Sequence, residues 1–301
     1  MIKKTSRSSP IKGKIVVSSM KMLAHLPMAI SLKIAAVLTW LSYFFHSRNR
    51  RVTETNLRLC YPDMSEQDRI QLTRESLKAS GIVMVELARV WFRPAYHDFN
   101  SFEHIEGKEL LLESINDPER GTILISPHLG NWEVIGTYMA TLFEFSALYR
   151  PPKIAELDPV VVAAREKYGL KMLKTSQLDV RKMLRILKKS GAIYVLPDQI
   201  PPKGSGVFAP FYGQPAYTMT LLQGLAKRTG SRIIMSIAIR TEEGFRLAFS
   251  PVDIDVSLST ERYAEQLNSH IAEVIDKNPE QFAWAYKRFK TSPEDGVDIY
   301  K

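Results

Sequence analysis

The sequence predicts an α/β fold, a mixed and mostly parallel sheet flanked by helices, with a membrane-engaging helix at the N-terminus. Three observations predict it. Short apolar runs at residues 122–126, 146–149, 192–196 and 233–239 lack the alternation of half-exposed strands and read as strands buried on both faces. Helical stretches at 132–142, 159–168, 180–189, 217–228 and 260–276 stand between or after them, and such alternation favours a parallel sheet with helical connections. Ahead of these, residues 22–45 read MLAHLPMAISLKIAAVLTWLSYFF, long enough to engage a bilayer, since a span needs about 20 residues.

The chain divides accordingly into a basic N-terminus with an anchor or interfacial helix over 1–47 and one α/β domain over 48–301. Residues 1–20 are rich in Lys and Ser and are expected to be mobile, which suits an electrostatic tether to acidic headgroups. In the apolar segment, His25, Pro27 and Lys33 weaken a simple span. Cations flank both ends, Lys12, Lys14 and Lys21 before and Arg48, Arg50 and Arg51 after, so the charge rule selects no orientation. A span, a bent anchor, a helix lying in the interface and a buried helix of a soluble domain all fit. From residue 65 to 91, Ile70, Leu72, Leu77, Ile82, Val85 and Leu87 recur at irregular helical intervals until Arg93-Pro94 closes the run, which predicts one long helix.

With 45% hydrophobic and 24% charged residues the chain is globular. Its 41 Lys and Arg against 32 Asp and Glu leave +9, which favours anionic partners. The cations are spread along the chain without zinc-ligand spacing, an RNP-like motif or a basic heptad region, so nucleic acid is not expected as a partner. Cys60 is the only cysteine, so no internal disulfide forms, and the catalytic part fits the cytoplasm.

The residues that point to chemistry follow the first of those strands, where 126–133 reads SPHLGNWE. On one continuous helix His128 and Glu133 would diverge by about 140°. With His128 in the loop and Asn131 capping the next helix, Glu133 falls in its first turn and can turn back toward the imidazole. A carboxylate beside a histidine orients the ring and supports the imidazolium. No GxSxG elbow and no HExxH motif occurs, so the pair reads as a base that activates the substrate's own hydroxyl.

HLGNWE resembles the HxxxxD/E motif of glycerolipid-type acyltransferases, and more closely the late acyltransferases of bacterial lipid A biosynthesis. The resemblance continues through RRVTETNLRLCYPD at 50–63, YRPP at 149–152, LPDQIPPKGSGVFAPFYGQPAYTMTL at 196–221 and NPEQFAWAYKRFK at 278–290. It implies a glycerolipid-acyltransferase-like fold and transfer of an acyl chain from an acyl carrier protein thioester to a hydroxyl of a lipid A precursor. It also implies a place at the cytoplasmic face of the inner membrane, with no metal, nucleotide or other cofactor. His128 would be the general base and Glu133 its partner. A lysophospholipid, glycerol phosphate or amino-lipid is the alternative acceptor.

Arg150 follows a strand and can hold a phosphate or a developing oxyanion, or sit in a surface ion pair. Asp198 and Gln199 also follow a strand, before a turn rich in Pro and Gly. They suit the lip of a substrate cleft, though a turn carboxylate can equally satisfy backbone amides. Phe208, Phe211 and Tyr212 can line an acyl groove or pack in the core. Lys287, Arg288 and Lys290 form a basic cluster suited to a phosphate or an acidic carrier protein, or a solvated face.

Overall fold

The computed structural model describes residues 10–93, 102–174, 177–293 and 298–300. Residues 1–9 of the expected basic tether and Pro94 of the expected helix stop lie outside them; residues 10–20 of that tether, expected to be mobile, are helical instead and bury Met20.

Seven strands form one sheet: β1 (Phe102–Glu106), β2 (Thr122–Ile125), β3 (Phe145–Tyr149), β4 (Lys171–Lys174), β5 (Ala192–Val195), β8 (Arg232–Arg240) and β9 (Phe245–Pro251). Their order is β1-β9-β8-β2-β5-β3-β4, parallel throughout except for the β8/β9 pair. The expected strands at 122–126, 146–149, 192–196 and 233–239 are therefore β2, β3, β5 and β8. All four residues of β2 and of β5 are buried.

Side-chain alternation sends those residues into two cores. Ile123, Ile125, Ile193 and Val195 pack on one face with Met183, Leu225 and Leu267 from helices there. Leu124 and Tyr194 point to the other face, against Val134, Ile135 and Met139. Covering both faces with helices is what makes the strands continuously apolar.

The helices are α1 (Pro10–His25), α2 (Met28–Phe44), α3 (Arg48–Cys60), α4 (Glu66–Phe92), α5 (Lys108–Ile115), α6 (Trp132–Ala140), α7 (Leu157–Glu166), α8 (Gln177–Leu187), α9 (Leu221–Thr229) and α10 (Thr260–Asp276). The expected long helix is α4, whose Ser65 cap accepts from the Asp68 amide. It runs 27 residues and receives α1, α2 and α3 along its length.

Two expectations are corrected. Residues 217–228 are not one helix: β7 (Gln214–Met219) pairs antiparallel with β6 (Gly206–Phe211), and α9 begins only at Leu221. Ala216 and Thr218 alternate inward there, a strand's period of two. Tyr212 and Gly213 form the two-residue loop, both at positive φ, 51° and 73°, as tight hairpins require.

The apolar segment 22–45 is not one helix either. It breaks at Pro27, whose ring disfavours helical backbone at the preceding residue. No single described helix is long and apolar enough to cross a membrane. α2 and α3 together pass by length and composition but meet at 71°. α3 buries Val52, Asn56, Leu57 and Cys60 in the domain. In contrast, α2 leaves Val37, Leu38, Trp40 and Phe44 exposed.

Candidate active site

Strand register decides which residues meet at the sheet's carboxyl edge. Ile125 of β2 pairs with Val195 of β5 in parallel register, so the third residue beyond each strand lies opposite the other. Those residues are His128 and Asp198. The carboxyl ends of parallel strands are where α/β sheets hold ligands.

The loop carrying His128 is fixed by two backbone hydrogen bonds. Its carbonyl accepts from the Ala283 amide at 3.0 Å, and the Gly130 amide donates to the Gln281 carbonyl at 3.0 Å. Gln281 ends the 3-10 turn Pro279–Gln281, and its side chain holds both backbone groups of Arg240. Thus the NPEQF segment clamps the HLG loop to the end of β8. Gly130 has φ +58°, and a Cβ there would lie 2.0 Å from the Ala238 carbonyl oxygen. Only glycine fits both demands.

Asn131 caps α6 as expected: its Oδ1 accepts from the amides of Glu133 and Val134, both at 3.1 Å. Its Nδ2 donates to Glu86 of α4 at 2.7 Å, and Glu86 also takes two bonds from Arg240, both at 2.5 Å. The cap is thereby tied to α4 and to β8.

Asp198, not Glu133, holds the imidazole. Its Oδ1 lies 2.8 Å from His128 Nδ1, and its Oδ2 accepts the His128 backbone amide at 2.9 Å. The carboxylate therefore fixes the ring and its backbone at once. Burial alone would raise the Asp198 carboxyl, but the attraction and hydrogen bonds of His128, with Arg288 behind, outweigh it and hold the carboxyl below its ordinary range. With Nδ1–H donating to Asp198, the hydrogen-bond network assigns the lone pair to Nε2. Gln199 Nε2 lies 3.1 Å from that atom.

Glu133 has a different partner. Its carboxylate takes two bonds from Arg165 of α7, at 2.5 and 3.2 Å. Side-chain exposures of 6% and 20% make this a largely buried pair. Burial presses the guanidinium down, and the Glu133 charge and hydrogen bond more than reverse that, leaving Arg165 above its ordinary value. The expected turn of Glu133 toward the ring does not occur, because a buried guanidinium occupies both its oxygens.

The Nε2 side opens on a cleft of about 300 Å³ lined by Trp132, Arg150, Arg165, Gln199, Pro201 and Met219 among others. Trp132 tilts against the imidazole with centroids 4.7 Å apart. Arg150 is exposed at the end of β3 and lines the cleft, as does Gln199.

The basic cluster separates. Arg288 is 3% exposed and donates to the Tyr217 carbonyl at 2.7 Å and Thr218 Oγ1 at 2.8 Å. Burial pulls its guanidinium below its ordinary value, with Asp198 the leading opposing charge. It is a buried counter-charge, not a solvated docking cation. Lys287 lies 5.0 Å over the Tyr300 ring, and Lys290 is exposed. Neither lines the cleft.

Of the aromatic residues expected as a groove or core, Phe211 and Tyr212 join the core, while Phe208 is half-buried outside it. Phe211 is buried, Phe208 packs on Tyr217, and Tyr212 donates to Asp276 at 2.6 Å. Cys60 is buried and its thiol is pushed above its ordinary value, mainly by that burial. It is no nucleophile.

Comparison with known proteins gives this geometry a family. The model for "Bacterial lipid A biosynthesis acyltransferase" matches residues 1–291. The chain belongs to the bacterial lipid A biosynthesis acyltransferases. It is 26% identical over 282 residues to the lipid A biosynthesis lauroyltransferase of Escherichia coli K12, covering 91% of this chain and 89% of that protein. It is also 26% identical to the palmitoleoyltransferase of the same organism over 85% of this chain, and 22% identical to the myristoyltransferase over 84%.

The sequence reading did not find Arg165, Glu86 or Arg240. Nothing in their spacing marks them, since each meets its partner only through the fold. Asp198 was named for the cleft lip but not as the ring's partner; the β2/β5 register is the signal that pairs it with His128.

Proposed function

We propose that the protein transfers a fatty acyl group from an acyl carrier protein thioester to a hydroxyl of a lipid A precursor, at the cytoplasmic face of the bacterial inner membrane. One observation carries the chemistry: His128 is anchored through Nδ1 by a buried aspartate, and its Nε2 lone pair lies on the side of the cleft lined by Gln199, Trp132 and Arg150. The acceptor hydroxyl takes the place of the Gln199 amide at Nε2 and gives up its proton there. Its oxygen attacks the thioester carbonyl. Asp198 supports the imidazolium, and Arg150 and Gln199 are the cleft side chains available to the oxyanion. Collapse expels the carrier's thiolate, which takes the proton back from Nε2.

Glu133 serves this reaction as the counter-charge that holds Arg165 at the cleft wall. Lipid A is favoured as acceptor by the names of the relatives, whose products carry lauroyl, palmitoleoyl or myristoyl chains. The exposed apolar face of α2 suits a helix lying in the bilayer surface.

The test is to incubate purified protein with acyl carrier protein thioester and either a lipid A precursor or lysophosphatidate. A gain of one acyl mass on the lipid A precursor is expected. Acylation of lysophosphatidate alone would overturn the acceptor. His128→Ala should lose on the order of 10²–10⁴ in rate while staying folded, because that is what a positioned base supplies; a near wild-type rate would overturn the mechanism.

A further inference from the structure

Where α2 crosses α4, the helices leave an open groove of about 500 Å³ lined by Thr39, Trp40, Tyr43, Phe44, Arg74 and Lys78. The crossing is close because Gly81 of α4 has no side chain: a Cβ there would lie 2.6 Å from the Thr39 methyl. Arg74 and Lys78 stand one turn apart on α4 and both are exposed. Among the described residues neither has a carboxylate within ion-pair distance. Arg74 instead lies over one side of the Tyr43 ring at 4.7 Å, while Arg50 lies 3.9 Å from its centroid. Arg50 is committed elsewhere, to Glu54 and the Tyr43 carbonyl. Arg74 is thus steered by an aromatic ring toward the groove with its donors unspent.

The rim of the groove is apolar and faces outward. Trp40, Phe44 and Phe45 are 61%, 59% and 71% exposed, and Trp40 and Phe44 stack at 5.5 Å. Exposed tryptophan and phenylalanine beside unpaired cations is the arrangement of a headgroup-level belt, rings at the acyl boundary and charges at the phosphates. An acidic protein would match the cations but not a rim of three exposed rings.

We propose that this groove is a binding site for the phosphate headgroup of an anionic phospholipid, with Arg74 and Lys78 donating to the phosphate while Trp40 and Phe44 enter the acyl boundary. The site is separate from the catalytic cleft and rests on the membrane-surface reading given above. It also fixes how the enzyme sits on the bilayer. Glu86, which holds the Asn131 cap behind His128, lies eight residues beyond Lys78 on α4, about 12 Å along the axis. A headgroup in the groove therefore registers the membrane surface on the helix that braces the catalytic loop.

The experiment is flotation of the full chain with vesicles of phosphatidylcholine alone or of phosphatidylcholine with phosphatidylglycerol. Arg74→Ala/Lys78→Ala is compared with Lys188→Ala/Lys189→Ala, which removes the same charge from exposed residues of another surface. All four side chains are exposed, and a thermal melt checks that both proteins stay folded. The groove variant should lose on the order of tenfold or more in affinity for the anionic vesicles, given the contribution of each cation near such a surface. The control should lose far less, and Arg74→Lys/Lys78→Arg should retain binding. Equal losses in the two double variants would reduce the groove to net charge and overturn the site. Wild-type binding that ignores phosphatidylglycerol would overturn the site and leave the membrane reading standing, while no binding to either vesicle overturns both. Unchanged vesicle binding with weakened capture of acyl carrier protein would assign the groove to that protein instead.

Discussion

Asp198 after β5 and Glu133 at the start of α6 are both buried acidic side chains, at 4% and 5% exposure. Both were expected near the cleft from sequence, yet they have opposite partners. Asp198 binds an imidazole, a group that can gain and lose a proton, whereas Glu133 binds a guanidinium that does not. A carboxylate on a titrating partner tunes chemistry; one on a permanent cation neutralises a buried charge. The five-residue spacing of HLGNWE fixes neither assignment.

That contrast can be broken most sharply by removing each charge without changing shape. Asp198→Asn should lower kcat on the order of 10²–10⁴-fold, because an amide no longer favours the productive tautomer or the imidazolium. Steady-state transfer assays with circular dichroism would separate this from unfolding. A loss under tenfold would remove Asp198 from the mechanism.

Glu133→Gln should act first on stability. It leaves the Arg165 charge buried and uncompensated, a change that costs about 3–5 kcal/mol. In denaturant titration Glu133→Gln/Arg165→Met should recover most of that loss, since no charge is then stranded. If stability returns but the rate does not, the pair acts on substrate as well.

The contrast depends on the loop that delivers His128 to Asp198. Gly130→Ala forces a left-handed alanine, about 1–3 kcal/mol on its own, and the clash with the Ala238 carbonyl adds to it. Thermal melting should show the loss, and activity should fall further than the lost folded fraction explains. A fully active, equally stable variant would mean that the loop can place the ring another way.

Much of this was legible beforehand. Buried apolar runs predicted β2, β3, β5 and β8, and the apolar recurrence over 65–91 with its stop at Arg93-Pro94 predicted α4, because continuous burial and a helix-ending proline leave local signatures; the Ser65 cap emerged only in the structure. β6 and β7 were not legible, since FAPFYGQPAYT mixes prolines and aromatics whose alternation is seen only against a partner strand. The break at Pro27 was visible as a weak point, though not as two helices. In the site, His128 and the Asn131 cap follow from the segment itself. Arg165 lies 32 residues from Glu133 and pairs with it only after α6 and α7 pack. Arg288 reads as surface charge in sequence because nothing local announces its burial.

The smallest effect expected is on acid stability. The Asp198 carboxyl is held below its ordinary range in the folded protein, so its contribution is present above the unfolded value of about 3.9 and is lost as pH falls through the lower folded value. The stability gap between wild type and Asp198→Asn should therefore close toward the acid end of a denaturant series. A gap that holds constant would mean that the charge contributes nothing.

The most direct measurement is the ¹⁵N spectrum of His128, with the ring labelled and the resonance assigned by its loss in His128→Ala. The account predicts a protonated Nδ1 and a bare Nε2 in the wild type, unchanged in Glu133→Gln and disturbed in Asp198→Asn. A protonated Nε2 in the wild type, or a tautomer that follows Glu133 and ignores Asp198, would contradict it.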